Sequence, residues 1–342
     1  VTPEQREIFA FLEGLRLEVR GDKRALAHFR AEYGAARADH GAEADLVVTF
    51  GRTPSGLPHF DGRYRSLRWR VALEEPGDGP LRATIDLRGA PRSFGLSLLQ
   101  GYVVEPLLGL LAPAGEHVLL PAAAVASEGG TLLLVGRSRS GKSSLVARAA
   151  AAGTAVLGDD HVLVGADACR AFPRRLRLYP DIAETAPAAH GALPARTRGL
   201  LRALGILRAA SAGALAPPVR VPVEKLGAVH RDPLPLARVV LLERREVPRL
   251  SAEGLSRDEL VAAASGVLRE QRRTVERLDD PRWRAHLDSI IAVEESLLRS
   301  AFAQATTVGR LVVPTRLRAG QSVAAIAAEL ALDVRGISRR SS

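Results

Sequence analysis

Residues 131–160 read TLLLVGRSRSGKSSLVARAAAAGTAVLGDD, and the order of residue types in this stretch decides the fold. An apolar run, Thr131 to Val135, predicts a buried strand. It runs into Gly136-Arg-Ser-Arg-Ser-Gly141-Lys142-Ser143, which fits the phosphate-loop pattern GxxxxGK(S/T) at every fixed position. An Ala-rich segment with helical character follows. Glycines let the backbone turn where a Cβ would clash, so that successive N–H groups face a phosphate. The helix adds the positive end of its dipole. Gly136, Arg137, Ser138, Arg139, Ser140, Gly141, Lys142, Ser143 and Ser144 are the expected nucleotide-binding residues. The ammonium of Lys142 would neutralise the β- and γ-phosphates of ATP, and the hydroxyl of Ser143 would ligate Mg²⁺. Only Lys23, Lys142 and Lys225 are lysine among 48 basic residues. One of the three stands where the pattern needs an ammonium, whereas compositional drift would have put arginine there.

Seventeen residues beyond Lys142 come Asp159 and Asp160, after the apolar Ala155-Val-Leu. One helix and one short strand fill that interval, so both carboxylates are expected at a strand end near the mouth of the loop. Paired carboxylates beside a phosphate loop divide labour: one binds the metal and the other takes a proton from the attacking hydroxyl. Adjacent carboxylates also raise each other's proton affinity, which suits a base. Alone, the pair would read as a polar turn; the loop at this spacing makes it a site.

GRSRSGKSSLVARAAAAGTAVLGDD resembles the core of the HPr kinase/phosphorylase family and its HPr-kinase-related relatives. In that family paired aspartates follow a phosphate loop one helix and one strand later. The resemblance is clear over about residues 115 to 165 and continues in element order to about 330. It implies an α/β fold: a phosphate-loop-containing C-terminal domain similar to HPr kinase and phosphoenolpyruvate carboxykinase, with a small α+β N-terminal domain. It also implies an ATP- and Mg²⁺-dependent kinase that phosphorylates a hydroxyl. A serine on a peptide or protein comes first as acceptor, a small-molecule hydroxyl second. Carried over residue by residue, Lys142, Asp159 and Asp160 are catalytic, with Asp159 as the base and Ser143 and Asp160 at the metal. The chain departs from the family at Pro121, where HPr kinases usually have a histidine fifteen residues before the first loop glycine. Their later Glu-x-Arg-Gly run is also missing, since the string beginning at Arg198, RGLLRALGI, lacks the glutamate. Phosphorylase activity and HPr itself are therefore not carried over.

The chain has 342 residues, 46% of them hydrophobic and 25% charged, which suits two globular domains. The division expected is residues 1–112, a small α+β region that presents the acceptor; 113–332, the ATP-binding domain; and 333–342, a frayed tail. Within the first region strands are expected at Arg16–Arg20, Asp45–Phe50, Tyr64–Ala72 and Leu81–Leu87. Helices are expected at Asp22–Tyr33 and Ser93–Leu111, with turns at 51–58 and 76–80. Beyond the aspartates, strands are expected at Val219–Val223, Ala237–Glu243 and Leu311–Pro314. Helices are expected at Arg196–Ala209, Arg257–Glu270, Pro281–Ala303 and Ser322–Leu332. Gly101 to Ala126 is apolar but broken by Glu105, Glu116 and His117, a poor membrane span. The N-terminus lacks the pattern of a signal peptide, and the single cysteine excludes an internal disulfide. A cytoplasmic protein is the expectation, with a homo-oligomer left open. The net charge of +10 attracts anions, but without a zinc finger or an aromatic–basic RNA motif nucleic acid is not an expected partner.

Other residues carry weaker signals. Arg174, Arg175 and Arg177 could clamp a phosphate, but among so many arginines a solvated loop is the simpler reading. Arg269, Arg272 and Arg273 share a helix face and pose the same choice. His161 reads as structural, Val239-Val-Leu-Leu-Glu243 as a core strand, and Cys169 as inert. The kinase reading competes with a nucleotide-binding regulator and with a P-loop ATPase that lacks transferase activity. A transporter ATPase should carry an LSGGQ-like run and a GTPase an NKxD motif; the sequence has neither.

Overall fold

The computed structural model describes residues 5–39, 41, 43–74, 79–211 and 217–332. The chain divides into two compact units, Val1–Leu119 with Ser265–Leu297, and Leu120–Ala264 with Leu298–Ser342. The boundary near 112 expected from the sequence falls close to the first crossing, but a linear division does not provide for residues 265–297, which group with the N-terminal unit. The tail 333–342 and most of the turn at 76–80 lie outside the described residues.

The first unit is built on a seven-stranded mixed sheet. Its strands are β1 (Arg6–Leu12), β2 (Leu15–Arg20), β3 (Arg37–Ala38), β4 (Leu46–Phe50), β5 (His59–Tyr64), β6 (Leu67–Leu73) and β7 (Leu81–Arg88), in the spatial order β3-β1-β2-β4-β7-β6-β5. Tyr64–Ala72, expected as one strand, is instead the turn and second arm of the β5–β6 hairpin. Arg65 takes a φ of 55° there, so the chain reverses without the glycine or asparagine that would have signalled it. Helix α1 (Lys23–Tyr33) starts where the Asp22 side chain accepts from the Ala25 N–H. It buries Leu26, Phe29 and Tyr33, and Phe29 packs on Phe50 with ring centroids 5.5 Å apart. The apolar stretch after the sheet is helical from Arg92: α2 (Arg92–Leu99), a π-helical turn at Gln100–Val104, and α3 (Glu105–Leu111). It is long and apolar enough to cross a membrane, yet two-thirds of its most apolar window is buried in the protein. The buried carboxylate of Glu105 accepts at Oε1 from both the Tyr33 hydroxyl at 3.0 Å and the Gln100 amide at 2.9 Å.

Strand β8 (His117–Leu120) ends at Pro121, which has no N–H for a ladder and splits the apolar run that the sequence presents as continuous. The second unit then forms a six-stranded sheet in the order β11-β9-β10-β16-β18-β17. Here β9 is Ala122–Ser127, β10 Gly130–Val135, β11 Val156–Gly158, β16 Leu236–Arg245, β17 Ser251–Glu253 and β18 Thr307–Pro314. Strands β10, β16 and β18 are parallel, whereas β9 runs antiparallel both to β10 and to β11. Between them lie two antiparallel pairs, β12 (Val162–Gly165) with β13 (Cys169–Ala171), and β14 (Leu176–Leu178) with β15 (Val219–Val221). The helices are α4 (Lys142–Ala151), α5 (Ile182–Thr185), α6 (Pro187–Ala192), α7 (Ala195–Ala210), α8 (Arg257–Arg272), α9 (Pro281–Gln304) and α10 (Ala319–Glu329). The expected helices at 196–209, 257–270 and 281–303 match α7, α8 and α9 to within two residues. The expected strand at 311–314 is longer at its start, and the helix expected at 322 begins at Ala319.

The core of this unit joins Leu132 and Leu134 of β10, Leu145 and Val146 of α4, Val240 and Leu242 of β16, and Val323 and Ile326 of α10. The small side chains of α4, chiefly alanine, let it lie close on these neighbours. Arg272, which shares a helix face with Arg269 and Arg273 in sequence, is instead buried against Glu294 in the first unit, a desolvated ion pair, while the other two arginines are exposed. Leu134→Ala, a truncation beneath the loop, should lower the unfolding free energy by about 2–4 kcal/mol in urea titrations; a change below about 1 kcal/mol would show that the strand carries little of the core.

Candidate active site

Strand β10 ends at Val135 and the chain turns at once into residues 136–141, with α4 beginning at Lys142. Gly141, the residue before the helix, has φ 100°, a left-handed conformation that a side chain would strain. The Lys142 ammonium is nearly buried; it donates to the carbonyl of Gly136 at 2.5 Å and that of Arg137 at 3.0 Å, and lies 3.4 Å from the Ser140 hydroxyl. The loop therefore wraps its own cation and holds positive charge at its centre.

The aspartates reach the same place by strand direction. Because β9 is antiparallel to both its neighbours, β11 runs parallel to β10 one strand removed, and the carboxyl ends of both lie at one edge of the sheet. Gly158 lies against the returning chain: a Cβ there would meet the His161 carbonyl at 2.4 Å. Only glycine permits this turn, and it directs Asp159 inward.

Asp159 is 1% exposed, and neither carboxylate oxygen has a hydrogen bond of normal geometry. Burial, and after it the charge of Asp160, push its pKa up to about 7, while the nearby Ser143 hydroxyl and the charges of Arg174 and Lys142 work the other way. Asp160, with φ 69°, turns toward solvent and faces two guanidinium groups, Arg174 at 3.6 Å and Arg177 at 3.5 Å. Arg174 is buried and also donates to His161 Nδ1 at 2.8 Å, so in the neutral imidazole the ring proton sits on Nε2. Tyr179 completes the mouth: burial and the charges of Asp160 and Asp159 raise its phenol pKa, opposed by Arg139 and Arg174.

The residues singled out in sequence thus fall into two groups. Residues 136–144, Asp159 and Asp160 come together, and Arg174 and Arg177 join them, although the simpler reading had left those arginines in a solvated loop. The Ser143 hydroxyl is close enough to Asp159 to lower its pKa. Glu243 stands on β16, the parallel neighbour of β10, but its carboxylate is taken up by Arg245 at 2.8 Å and Arg310 at 3.3 Å, which hold its pKa below the usual range. The Cys169 thiol is buried and its pKa is pushed up to about 12, as fits an inert side chain. Tyr179 was not recognised in sequence, where a lone tyrosine in an arginine- and proline-rich stretch carries no signal; Gly158, directly before the paired aspartates, is the signal that was available.

Among the described residues no group of three or more His, Cys, Asp or Glu side chains could hold a metal ion. A cation here would have to use one or two carboxylates, a hydroxyl and phosphate oxygens, which is how Mg²⁺ is usually bound. No protein-family model and no curated protein matches the chain.

In metal-free buffer the native state keeps a proton on Asp159 at pH values where the unfolded chain, with its carboxyl near 3.8, has lost it. The resulting stabilisation is complete below the unfolded pKa and is lost as pH rises to about 7. Between pH 5 and 8 wild type should lose ~2–3 kcal/mol of unfolding free energy relative to Asp159→Asn. Parallel urea midpoints for the two proteins across that range would show that Asp159 titrates normally.

Proposed function

We propose that the chain is an ATP-dependent kinase that transfers the γ-phosphoryl group to a hydroxyl, a serine on a peptide or protein first and a small molecule second. One observation carries the reading: a buried carboxylate with no hydrogen bond of normal geometry shares a sheet edge with a glycine-rich loop whose lysine is already in place. Amides of residues 136–144 and the start of α4 would bind the phosphates, and Lys142 would offset their charge. The residues present fit Mg²⁺: neither Asp159 oxygen has a hydrogen bond of normal geometry, and the Ser143 hydroxyl is beside it. Ser143 and Asp159 would hold the ion, with Asp160 alongside. Once bound, Mg²⁺ would neutralise charge on the phosphate oxygens.

This proximity supports a division of labour opposite to the one carried over from the family. Asp160, turned outward and oriented by Arg174 and Arg177, is the carboxylate that an incoming hydroxyl would meet. It would orient the hydroxyl and accept its proton. Arg174 and Arg177 would also stand near the charge that builds up on the transferring group, which is where fixed cations lower a barrier most. Arg174 is held rigidly for that task by burial and by His161.

Labelled γ-phosphate supplied as ATP, with serine-containing peptides as acceptors, tests the reading. Label on a peptide supports the kinase; release of free phosphate alone supports the ATPase reading. Lys142→Ala should remove ATP turnover while leaving the circular dichroism spectrum unchanged. Asp160→Asn should keep nucleotide affinity and lose on the order of 10²-fold in transfer rate. A folded Lys142→Ala protein with unchanged turnover would end the phosphate-loop assignment.

A further inference from the structure

The first unit carries a cleft of about 1310 Å³ that the proposed chemistry does not use. It lies on the outward face of β5, β6 and β7, and its lining includes Arg52, Arg63, Arg68, Arg70, Arg88 and Arg277. Strand register explains the charge. Arg63 stands opposite Arg68, and Arg68 opposite Arg88, so three guanidinium groups form one row across three neighbouring strands. Like charges placed directly opposite destabilise a sheet. In the next row Asp61, Arg70 and Asp86 alternate in sign: Asp61 accepts twice from Arg70, at 2.8 and 2.9 Å, and Asp86 accepts from Arg88. Arg52, Arg63, Arg68 and Arg277 have no ion-pair partner among the described residues.

Strand β5 is also the edge of the sheet. The Leu73 N–H donates to the Pro58 carbonyl, and Tyr64 closes the hairpin opposite Leu67, so Phe60, Gly62 and Tyr64 direct their main-chain groups toward β6. Those of His59, Asp61 and Arg63 point to the open side. Trp69, packed against Gly62 and lining the same cleft, has a buried indole N–H without an acceptor.

We infer that this edge binds an extended acidic peptide, added as a further strand along β5, with a carboxylate opposite Arg63, where the arginine row meets the edge. The next side chain on that face, two residues along, would stand opposite Asp61, whose charge Arg70 already offsets. The main chain supplies hydrogen bonds and the arginines supply specificity, as in other strand-addition sites. A nucleic acid fits less well. Asp61 and Asp86 interrupt the positive surface that a continuous phosphate backbone would follow, and buried Trp69 offers no face for base stacking. As a docking strand for the kinase's acceptor the site rests on the reading proposed above; as a peptide site it does not.

The full chain, without nucleotide or metal, would be titrated into a fluorescent ten-residue peptide of alternating glutamate and valine. Binding should weaken about tenfold or more in R63Q/R68Q and fall with added salt. N-methylation of the peptide at every second residue should abolish binding in one phase of the alternation and spare it in the other. Equal binding by wild type and R63Q/R68Q would overturn the proposal, as would indifference to N-methylation in both phases. Tighter binding of a ten-nucleotide oligothymidylate would overturn it in favour of nucleic acid. Because no ATP is present, failure here leaves the kinase reading standing; peptide capture without phosphoryl transfer to any acceptor would count against the kinase alone.

Discussion

The direction of one strand governs the rest of the second unit. Strand β9 runs against both β10 and β11, and two reversals restore the original sense. The loop after β10 and the aspartates after β11 therefore open on the same edge. Reversing only one of these two pairings would send the carboxyl ends of β10 and β11 to opposite edges. The β9–β10 hairpin enforces the reversal locally, since Ser127 and Gly130 pair across a two-residue turn.

A second constraint is electrostatic. The protein is strongly basic, yet the pair at the sheet edge concentrates negative charge where water is scarce. Asp159 answers by holding its proton more tightly, and Asp160 by facing two arginines. The two carboxylates are neighbours in sequence with different environments, one desolvated and one half open, and a pair separated in this way can take separate tasks. The left-handed backbone at Asp160 makes that separation, by turning one side chain out as the other turns in.

The loop, the helix after it and the paired aspartates were legible in sequence because each depends on local chemistry: glycine where φ is positive, lysine at a fixed offset, an apolar run just long enough for a strand. Arg174 and Arg177 were not. In a chain where nearly every basic residue is arginine, neither type nor spacing separates a buried guanidinium from a solvated one; only the packing around His161 and Asp160 does so. The closeness of Ser143 to Asp159 depends on which way a turn points its side chains, and sequence spacing does not encode that. The hairpin at Arg65 was missed for a similar reason, a left-handed residue with no glycine to announce it. The grouping of residues 265–297 with the N-terminal unit depends on contacts between distant parts of the chain, which periodicity cannot show.

That last grouping has a consequence for how the protein is made. Residues 1–119 leave the ribosome before residues 265–297, yet the body to which they belong also includes Ser265–Leu297, with its buried Leu268, Val275, Leu278, Trp283 and Leu287. Vectorial synthesis therefore cannot finish the first unit before residues 120–264 of the second unit, the glycine-rich loop among them, have emerged. Until then the nascent N-terminal sheet waits without part of its apolar complement, and it is in this interval that a chaperone would find surface to hold.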